Sequence, residues 1–153
     1  MKSALLSVVV MALASAAVAQ EETTMAMEDV PAAVMEAAMA NAMDVTFDTV
    51  AMDEGVYEFA GTMEDGMGLE IDVMEDGSIE EVEKQIAMEA LPAEVMATLE
   101  AELAGFEPTY IEESTRPEGV IVYEFEGMVD GAEIDAEINA DGTGFSSNLD
   151  AAG

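Results

Sequence analysis

The chain has 153 residues, of which 35 are Asp or Glu and three are Lys or Arg, so its formal net charge is −32. It contains no His and no Cys, which excludes disulfides, zinc fingers and every catalytic triad or thiol site that needs these residues. Nucleic acids and anionic membranes attract Lys and Arg, so this charge argues against both as partners. We therefore expect a non-catalytic protein without a cofactor.

The N-terminus has the pattern of an export signal. Lys2 precedes an apolar run at residues 4–14, and Ala17-Val18-Ala19 supplies the small residues of a cleavage site. The run is shorter than the roughly 20 residues of a membrane span, which disfavours the alternative of an uncut anchor. We predict a signal peptide at residues 1–19, cleaved after Ala19, and a periplasmic or secreted protein. Residues 20–29 are acidic and unpatterned and are interpreted as a flexible leader.

Short motifs recur in the same order in the two halves of the remaining chain. We interpret the recurrence as a duplication, with repeat 1 at residues 30–86, repeat 2 at residues 87–149 and a loose tail at residues 150–153. The matched segments are residues 30–35 with 91–96, residues 56–61 with 122–127, and the Asp-Gly pairs at 65–66 and 76–77 with those at 130–131 and 141–142.

Each repeat opens with a predicted helix. Leu91, Val95, Leu99 and Leu103 recur every four residues and form one apolar stripe, which Gly105 terminates. The corresponding stripe in the first repeat is weaker, because it contains two alanines. Its members are Val30, Val34, Ala38 and Ala42.

Alternating strands follow each helix. In both copies Tyr and Phe alternate with Glu, which predicts a sheet with one buried and one wet face. The Asp-Gly pairs between the strands predict hairpin turns. The predicted fold class is therefore α+β, with two tandem repeats, each a helix packed on a three- or four-stranded antiparallel sheet.

These motifs resemble the PepSY-like family of exported bacterial proteins. The matching stretches are residues 91–95, residues 122–127 and residues 138–142, and the resemblance covers about residues 28 to 149 as two tandem copies. It implies an architecture similar to the β-lactamase-inhibitory-protein fold, with an open sheet face for a partner. It also implies a role related to inhibiting or escorting peptidases, and it carries over no catalytic residues.

The alternation places many carboxylates on the open sheet face. Like charges that face each other on adjacent strands destabilise a sheet by roughly 0.2–1 kcal/mol per pair. A basic partner or bound cations would reduce this cost. The candidate site residues are Glu58, Glu70, Asp72, Glu124, Glu126, Glu133, Asp135 and Glu137. A solvated face in a salt-adapted protein is the competing interpretation. It is supported by acids predicted elsewhere, namely Glu100, Glu102, Glu112, Glu113 and Glu118.

Two further patterns suggest metal chemistry but have simpler interpretations. Residues 72–83 match an EF-hand loop at four positions, yet Met74 stands where an oxygen ligand is needed and the flanks alternate like strands. Met35, Met39 and Met43 share a helix face and are soft ligands suited to Cu(I), although such stripes more often fill a core. We assign no specific metal site from the sequence.

The sequence thus predicts a non-catalytic binding module, with an inhibitor or escort of a secreted enzyme as its sharpest form. A basic exported protein would dock on the acidic sheet face. The alternative is low-affinity binding or buffering of divalent cations such as Ca²⁺ by the clustered carboxylates. The sequence sets neither the partner's identity nor the oligomeric state.

Overall fold

The computed structural model describes residues 23–148, which form one antiparallel sheet of nine strands and two α-helices. The predicted signal peptide and C-terminal tail lie outside the described residues. The strands are β1 Thr23–Thr24, β2 Phe47–Asp53, β3 Val56–Thr62, β4 Gly68–Met74, β5 Ile79–Gln85, β6 Glu107–Arg116, β7 Val120–Val129, β8 Ala132–Asn139 and β9 Ser146–Ser147. The helices are α1 Ala32–Asn41 and α2 Ala93–Glu102.

The prediction of two tandem helix-on-sheet units is wrong, because the sheet is continuous. Its strands follow one another in sequence order, and every neighbouring pair is antiparallel. The halves join where β5 pairs with β6, from Val82 opposite Thr115 to Gln85 opposite Glu112. α2 lies between these strands in sequence, so it serves as a crossover within one mostly-sheet fold with a few helices.

The local signals explain why the elements begin and end where they do. The stripe predicted for the second helix is buried, with Val95 and Leu99 only 0% and 2% exposed. Gly105 follows the helix with a φ of +83°, a conformation that favours glycine. Gly131 has the same left-handed conformation in the turn between β7 and β8, where the Asp-Gly pair predicts a hairpin.

Both helices cover the same face of the sheet, but they enclose two separate apolar clusters. The α1 cluster contains Val34, Ala38, Val45, Val50, Tyr57, Phe59, Leu69, Ile71 and Val73. The α2 cluster contains Leu91, Val95, Leu99, Leu103, Ile111, Tyr123, Phe125, Ile134, Ala136 and Ile138.

Polar groups separate the two clusters on this helix-covered face. Lys84 of β5 lies directly opposite Glu113 of β6, and its Nζ is 3.6 Å from Glu113 Oε1. The Tyr123 hydroxyl donates a hydrogen bond of 3.0 Å to the other oxygen of the same carboxylate. The sheet is therefore continuous through its backbone while its core is divided by side chains.

The segment predicted as a leader contributes a short edge strand. Thr23 and Thr24 pair with Met52 and Ala51 of β2, and the Met25 N–H donates to the Val50 carbonyl at 3.0 Å. Within residues 23–148, no helix has the length and apolar character needed to cross a bilayer.

Candidate binding site: the acidic sheet face

All eight carboxylates predicted from the sequence lie on the sheet face opposite the helices, on four of its strands. Residues that are directly opposite in a sheet share a face. Glu58 of β3 is opposite Asp72 of β4, and Glu124 and Glu126 of β7 are opposite Glu137 and Asp135 of β8. Glu70 and Glu133 follow at two-residue spacing on β4 and β8.

The centre of this face carries three carboxylates that the strand alternation did not predict. Glu81 and Glu83 of β5 are opposite Asp72 and Glu70, and Glu112 of β6 is opposite Glu124. The expectation that Glu112 lies away from this face is therefore wrong, because it faces Glu124. We call the whole surface the acidic face. It comprises Glu58, Glu70, Asp72, Glu81, Glu83, Glu112, Glu124, Glu126, Glu133, Asp135 and Glu137, together with Tyr110, Ser114 and Arg116.

A depression of about 270 Å³ lies in the middle of the acidic face. It is lined almost entirely by side chains that carry oxygen atoms, so its chemistry favours cations. Its walls are Glu58, Glu70, Asp72, Glu81, Glu83, Tyr110, Glu112, Arg116, Phe125, Ala136, Glu124, Glu126, Asp135 and Glu137.

Arg116 neutralises one part of this depression. Its Nε lies 3.0 Å from Glu81 Oε2, and its Nη2 lies 2.9 Å from Glu124 Oε1 and 2.8 Å from Glu137 Oε2. The Ser114 hydroxyl, which is fully buried, donates to the same Glu81 oxygen at 2.6 Å. One guanidinium therefore holds carboxylates from three strands together through charge-assisted hydrogen bonds.

A second group of carboxylates lies beside it, and we call Glu70, Asp72 and Glu83 the carboxylate triad. Each offers an oxygen within 4.8 Å of the others. Glu70 and Glu83 are both 7% exposed. Asp72 Oδ1 is enclosed and has no hydrogen-bond partner among residues 23–148. The triad therefore brings three acidic side chains together where water has little access.

Burial and repulsion by neighbouring charges keep protons on two members of the triad, Asp72 and Glu83. Burial first, and then the charge of Glu70, raises the pKa of Asp72 to about 9. Burial and the neighbouring Glu112 raise the pKa of Glu83 to about 10. At neutral pH these two side chains therefore hold protons as long as no cation binds beside them.

The strands next to the triad hold carboxylates that titrate near neutrality. Burial and the charge of Glu124 raise the pKa of Glu112 to about 7. Burial and the charge of Glu81 raise the pKa of Glu124 to about 7, although Arg116 opposes that rise. The charge of the acidic face therefore changes within the physiological pH range.

Of the other two patterns in the sequence, the EF-hand-like loop forms a hairpin, and the methionine pattern is only partly buried. Residues 72–83 form the β4–β5 hairpin, in which Asp76 Oδ1 accepts hydrogen bonds from the Ser78 N–H and hydroxyl. Met35 packs against the α1 cluster, whereas Met39 and Met43 are 56% and 57% exposed. Of these three methionines only Met35 packs in the core, and Met43 lies beyond the end of α1.

Solved structures share this fold at low sequence identity. A DUF2874 family protein from Bacteroides uniformis superposes with a TM-score of 0.67 at 15% identity, covering 76% of this chain and 88% of that chain. A candidate periplasmic protein from Bacteroides eggerthii gives 0.68 at 13% identity, covering 77% and 88%. A BLIP-like protein from Bacteroides fragilis gives 0.62 at 12% identity, covering 76% and 84%.

These comparisons establish the fold. No protein-family model matches the chain, and no curated protein matches it by sequence. The predicted similarity to the β-lactamase-inhibitory-protein architecture is confirmed by the BLIP-like neighbour. The PepSY-like assignment stays a prediction.

Proposed function

We propose that this chain is an exported, non-catalytic binding protein that docks a basic protein segment on the acidic face. The observation that carries the proposal is the gathering of eleven carboxylates from six strands on one face, with a single arginine among them. A cationic surface is the partner that best complements such a face.

The chain supplies almost no compensating charge of its own. Lys84 and Arg116 are the only basic residues from position 23 to position 148. Lys84 pairs with Glu113 on the helix-covered face, and Arg116 is shared by three carboxylates. Further neutralisation of the acidic face by protein groups therefore has to come from outside these residues.

The fold and the position of the face agree with a binding role. The helices cover one side of the sheet, which leaves the opposite side as a broad open surface. Among structures with this fold are a BLIP-like protein and a candidate periplasmic protein. These similarities support export and a non-enzymatic role, and an inhibitor or escort of a secreted enzyme is the sharpest form of the proposal.

Binding of an oligolysine peptide by the purified protein, followed by fluorescence anisotropy in the presence of chelator, tests this function. We expect Glu126→Gln combined with Asp135→Asn to weaken binding about threefold or more, because these opposed residues lie on the acidic face. Glu100→Gln combined with Glu102→Gln removes two equivalent charges from α2, so it is the matched control.

Equal weakening by the two double variants would overturn the proposal, since it would reduce the interaction to net charge alone. An oligoglutamate peptide of the same length should not bind. Binding should also decline as salt is raised, because exposed charges are screened beyond about 10 Å at 0.1 M ionic strength.

A further inference from the structure

The chain contains four Asp-Gly pairs, and each lies in a turn that follows a strand. In this dipeptide the backbone nitrogen of glycine can attack the Asp side chain, because glycine has no Cβ to hinder the approach. Attack closes a five-membered succinimide ring, whose hydrolysis yields aspartate or isoaspartate. In a folded protein the reaction depends on what holds the attacking nitrogen and the carboxyl group. The pairs are Asp65-Gly66, Asp76-Gly77, Asp130-Gly131 and Asp141-Gly142.

Three of the four pairs are held at both reacting groups. The N–H groups of Gly66, Gly77 and Gly142 each donate to a backbone carbonyl at 2.8–2.9 Å. Each of the three Asp carboxylates also accepts a hydrogen bond of 2.9–3.0 Å from the N–H two residues further along the chain. The nitrogen and the carboxyl group of these pairs are therefore both engaged elsewhere.

Asp76 and Asp141 are held most firmly. The Ser78 and Thr143 hydroxyls donate to their Oδ1 atoms at 2.6 Å. These hydrogen bonds lower the pKa of both Asp carboxyls, and an ionised carboxylate is a poor target for a nucleophile. The turn at Gly142 also lies against α2, since a Cβ there would be 2.7 Å from a carbonyl oxygen of the first helical turn.

Asp130-Gly131, in the turn between β7 and β8, lacks these restraints. Within residues 23–148 the Gly131 N–H donates no hydrogen bond, and the Asp130 carboxylate accepts none. Both residues are exposed, and a Cβ on Gly131 would meet no atom within 4 Å. In this part of the chain, therefore, no hydrogen bond holds either reacting group of this pair.

We propose that Asp130-Gly131 is a site of spontaneous isomerisation, at which aspartate converts to isoaspartate. The Gly131 nitrogen bonds to Asp130 Cγ and loses its proton, and the carboxyl hydroxyl leaves with that proton as water. Solvent water then hydrolyses the succinimide. Hydrolysis at the side-chain carbonyl restores aspartate, whereas hydrolysis at the main-chain carbonyl leaves isoaspartate. The composition of the chain does not change, and water is the only co-reactant.

The turn between β2 and β3 provides a comparison within the same chain. Glu54 and Gly55 have φ values of +46° and +95°, close to the +51° and +84° of Asp130 and Gly131. Attack by the Gly55 nitrogen on the Glu54 side chain would close a six-membered ring, which forms more slowly than a five-membered one. The Glu54 turn should therefore stay unmodified, and it shows that Glu fits the first position of such a turn.

Isoaspartate would alter the hairpin beside the acidic face. It adds one carbon to the main chain between Val129 and Ala132, which are paired across β7 and β8. The length of a hairpin turn sets the register of its strands, so a longer main chain no longer fits the two-residue turn. We therefore expect protein that carries isoaspartate at position 130 to melt at a lower temperature.

Incubation of the folded protein at neutral pH in water enriched in heavy oxygen tests the proposal. Each passage through the succinimide leaves one heavy oxygen atom on the residue, so peptide mapping by mass spectrometry measures the reaction at every Asp-Gly pair. Label and isoaspartate should accumulate first at Asp130. Asp65 should follow more slowly, because no hydroxyl holds its carboxylate, and Asp76 and Asp141 should react least.

Asp130→Glu is the variant that isolates the site. It should abolish labelling at position 130 and remove most of the isoaspartate of the chain. It should also fold, because Glu54 occupies the same position of an equivalent turn. Asp65→Glu is the matched control and should leave the labelling of Asp130 unchanged. Thermal unfolding shows that both variants are folded.

Two results would overturn the proposal. One is labelling at equal rates in all four pairs, because the hydrogen bonds would then give no protection. The other is an unlabelled Asp130 under conditions in which a synthetic peptide of residues 127–134 is labelled, because the folded turn would then prevent the attack. The experiment contains no basic peptide, so its outcome is independent of the docking proposal.

Discussion

The Arg116 guanidinium lies 2.8 Å from Glu137, although the two residues belong to strands separated by β7. The same nitrogen also contacts Glu124 on the strand between them, so one side chain bridges β6, β7 and β8. This arrangement makes Arg116 a structural part of the acidic face, and the proposed basic partner would bind the carboxylates that surround it.

Replacing Arg116 should destabilise the fold more than replacing Lys84. We expect Arg116→Gln to lower the free energy of unfolding by about 1–3 kcal/mol, because three partly buried carboxylates lose their charged donor. Lys84→Gln should cost less than about 1 kcal/mol. The ion pair of Lys84 with Glu113 is 3.6 Å long, and both side chains are more than a quarter exposed. Urea unfolding of the two variants makes the comparison, and a reversed order would contradict this role of Arg116.

Stability should fall as the pH rises from about 6 to about 9, a range in which ordinary carboxylates no longer titrate. The folded pKa values of Asp72 and Glu83, about 9 and about 10, lie above those of the unfolded chain. Their stabilising contribution is therefore complete below about pH 4 and is lost as the pH rises towards the folded values. Melting temperatures at constant ionic strength, with chelator present, measure the trend.

The double variant Asp72→Asn, Glu83→Gln should flatten this dependence, because its amides do not titrate. A shallower slope from Glu112 and Glu124 should remain, since their pKa values of about 7 are also raised. A wild-type melting temperature that is constant or increases between pH 6 and about pH 9 would rule out the raised pKa values.

Gly127 is required by close packing. A Cβ at this position would overlap the Glu107 carbonyl oxygen and the Phe106 ring, and the backbone oxygen cannot move aside. We expect Gly127→Ala to cost at least about 2 kcal/mol in urea unfolding, towards the upper end of the range for overpacking. Gly131→Ala meets no atom within 4 Å and is the control, which should lose only about 1 kcal/mol from its positive φ.

The continuous sheet predicts a single cooperative unfolding transition. Because β5 and β6 are paired, Leu99→Ala in the α2 cluster should shift the unfolding of the α1 cluster as well. The expected loss is about 2–5 kcal/mol, as for other buried leucines. Amide signals of Phe59 and Phe125 should report the same midpoint, whereas two separate midpoints would indicate two independent units.

The sequence predicted the strands on either side of the centre of the sheet, namely β3, β4, β7 and β8, and missed the centre itself for a physical reason. In β3, β4, β7 and β8, apolar residues alternate with Glu or Asp, and this alternation predicted that the eight carboxylates share one face of the sheet. In β6 the pair Glu112-Glu113 interrupts any alternation, because one side chain joins the acidic face and the other meets Lys84. Because polar side chains lie on both faces where β5 pairs with β6, this region lacks the alternation of apolar and polar residues that identifies a strand in a sequence.

The same junction explains why the fold class was wrong. Pairing of β5 with β6 links segments that are separated by α2, and the sequence contains no local signal for such a long-range contact. Arg116 was likewise overlooked, because its role depends on carboxylates from three different strands. The sequence therefore indicated which side chains share a face but not how the two halves assemble.

Amide chemical-shift mapping of the labelled protein during titration with the oligolysine peptide would locate the docking surface residue by residue. We predict that the largest shifts occur on strands β3 to β8 around Glu58, Glu126 and Asp135, while the amides of Glu100 and Glu102 on the exposed face of α2 shift little. Shifts of equal size on the helix and on the sheet would contradict a defined docking surface. They would favour the competing interpretation, in which the carboxylates form a solvated face.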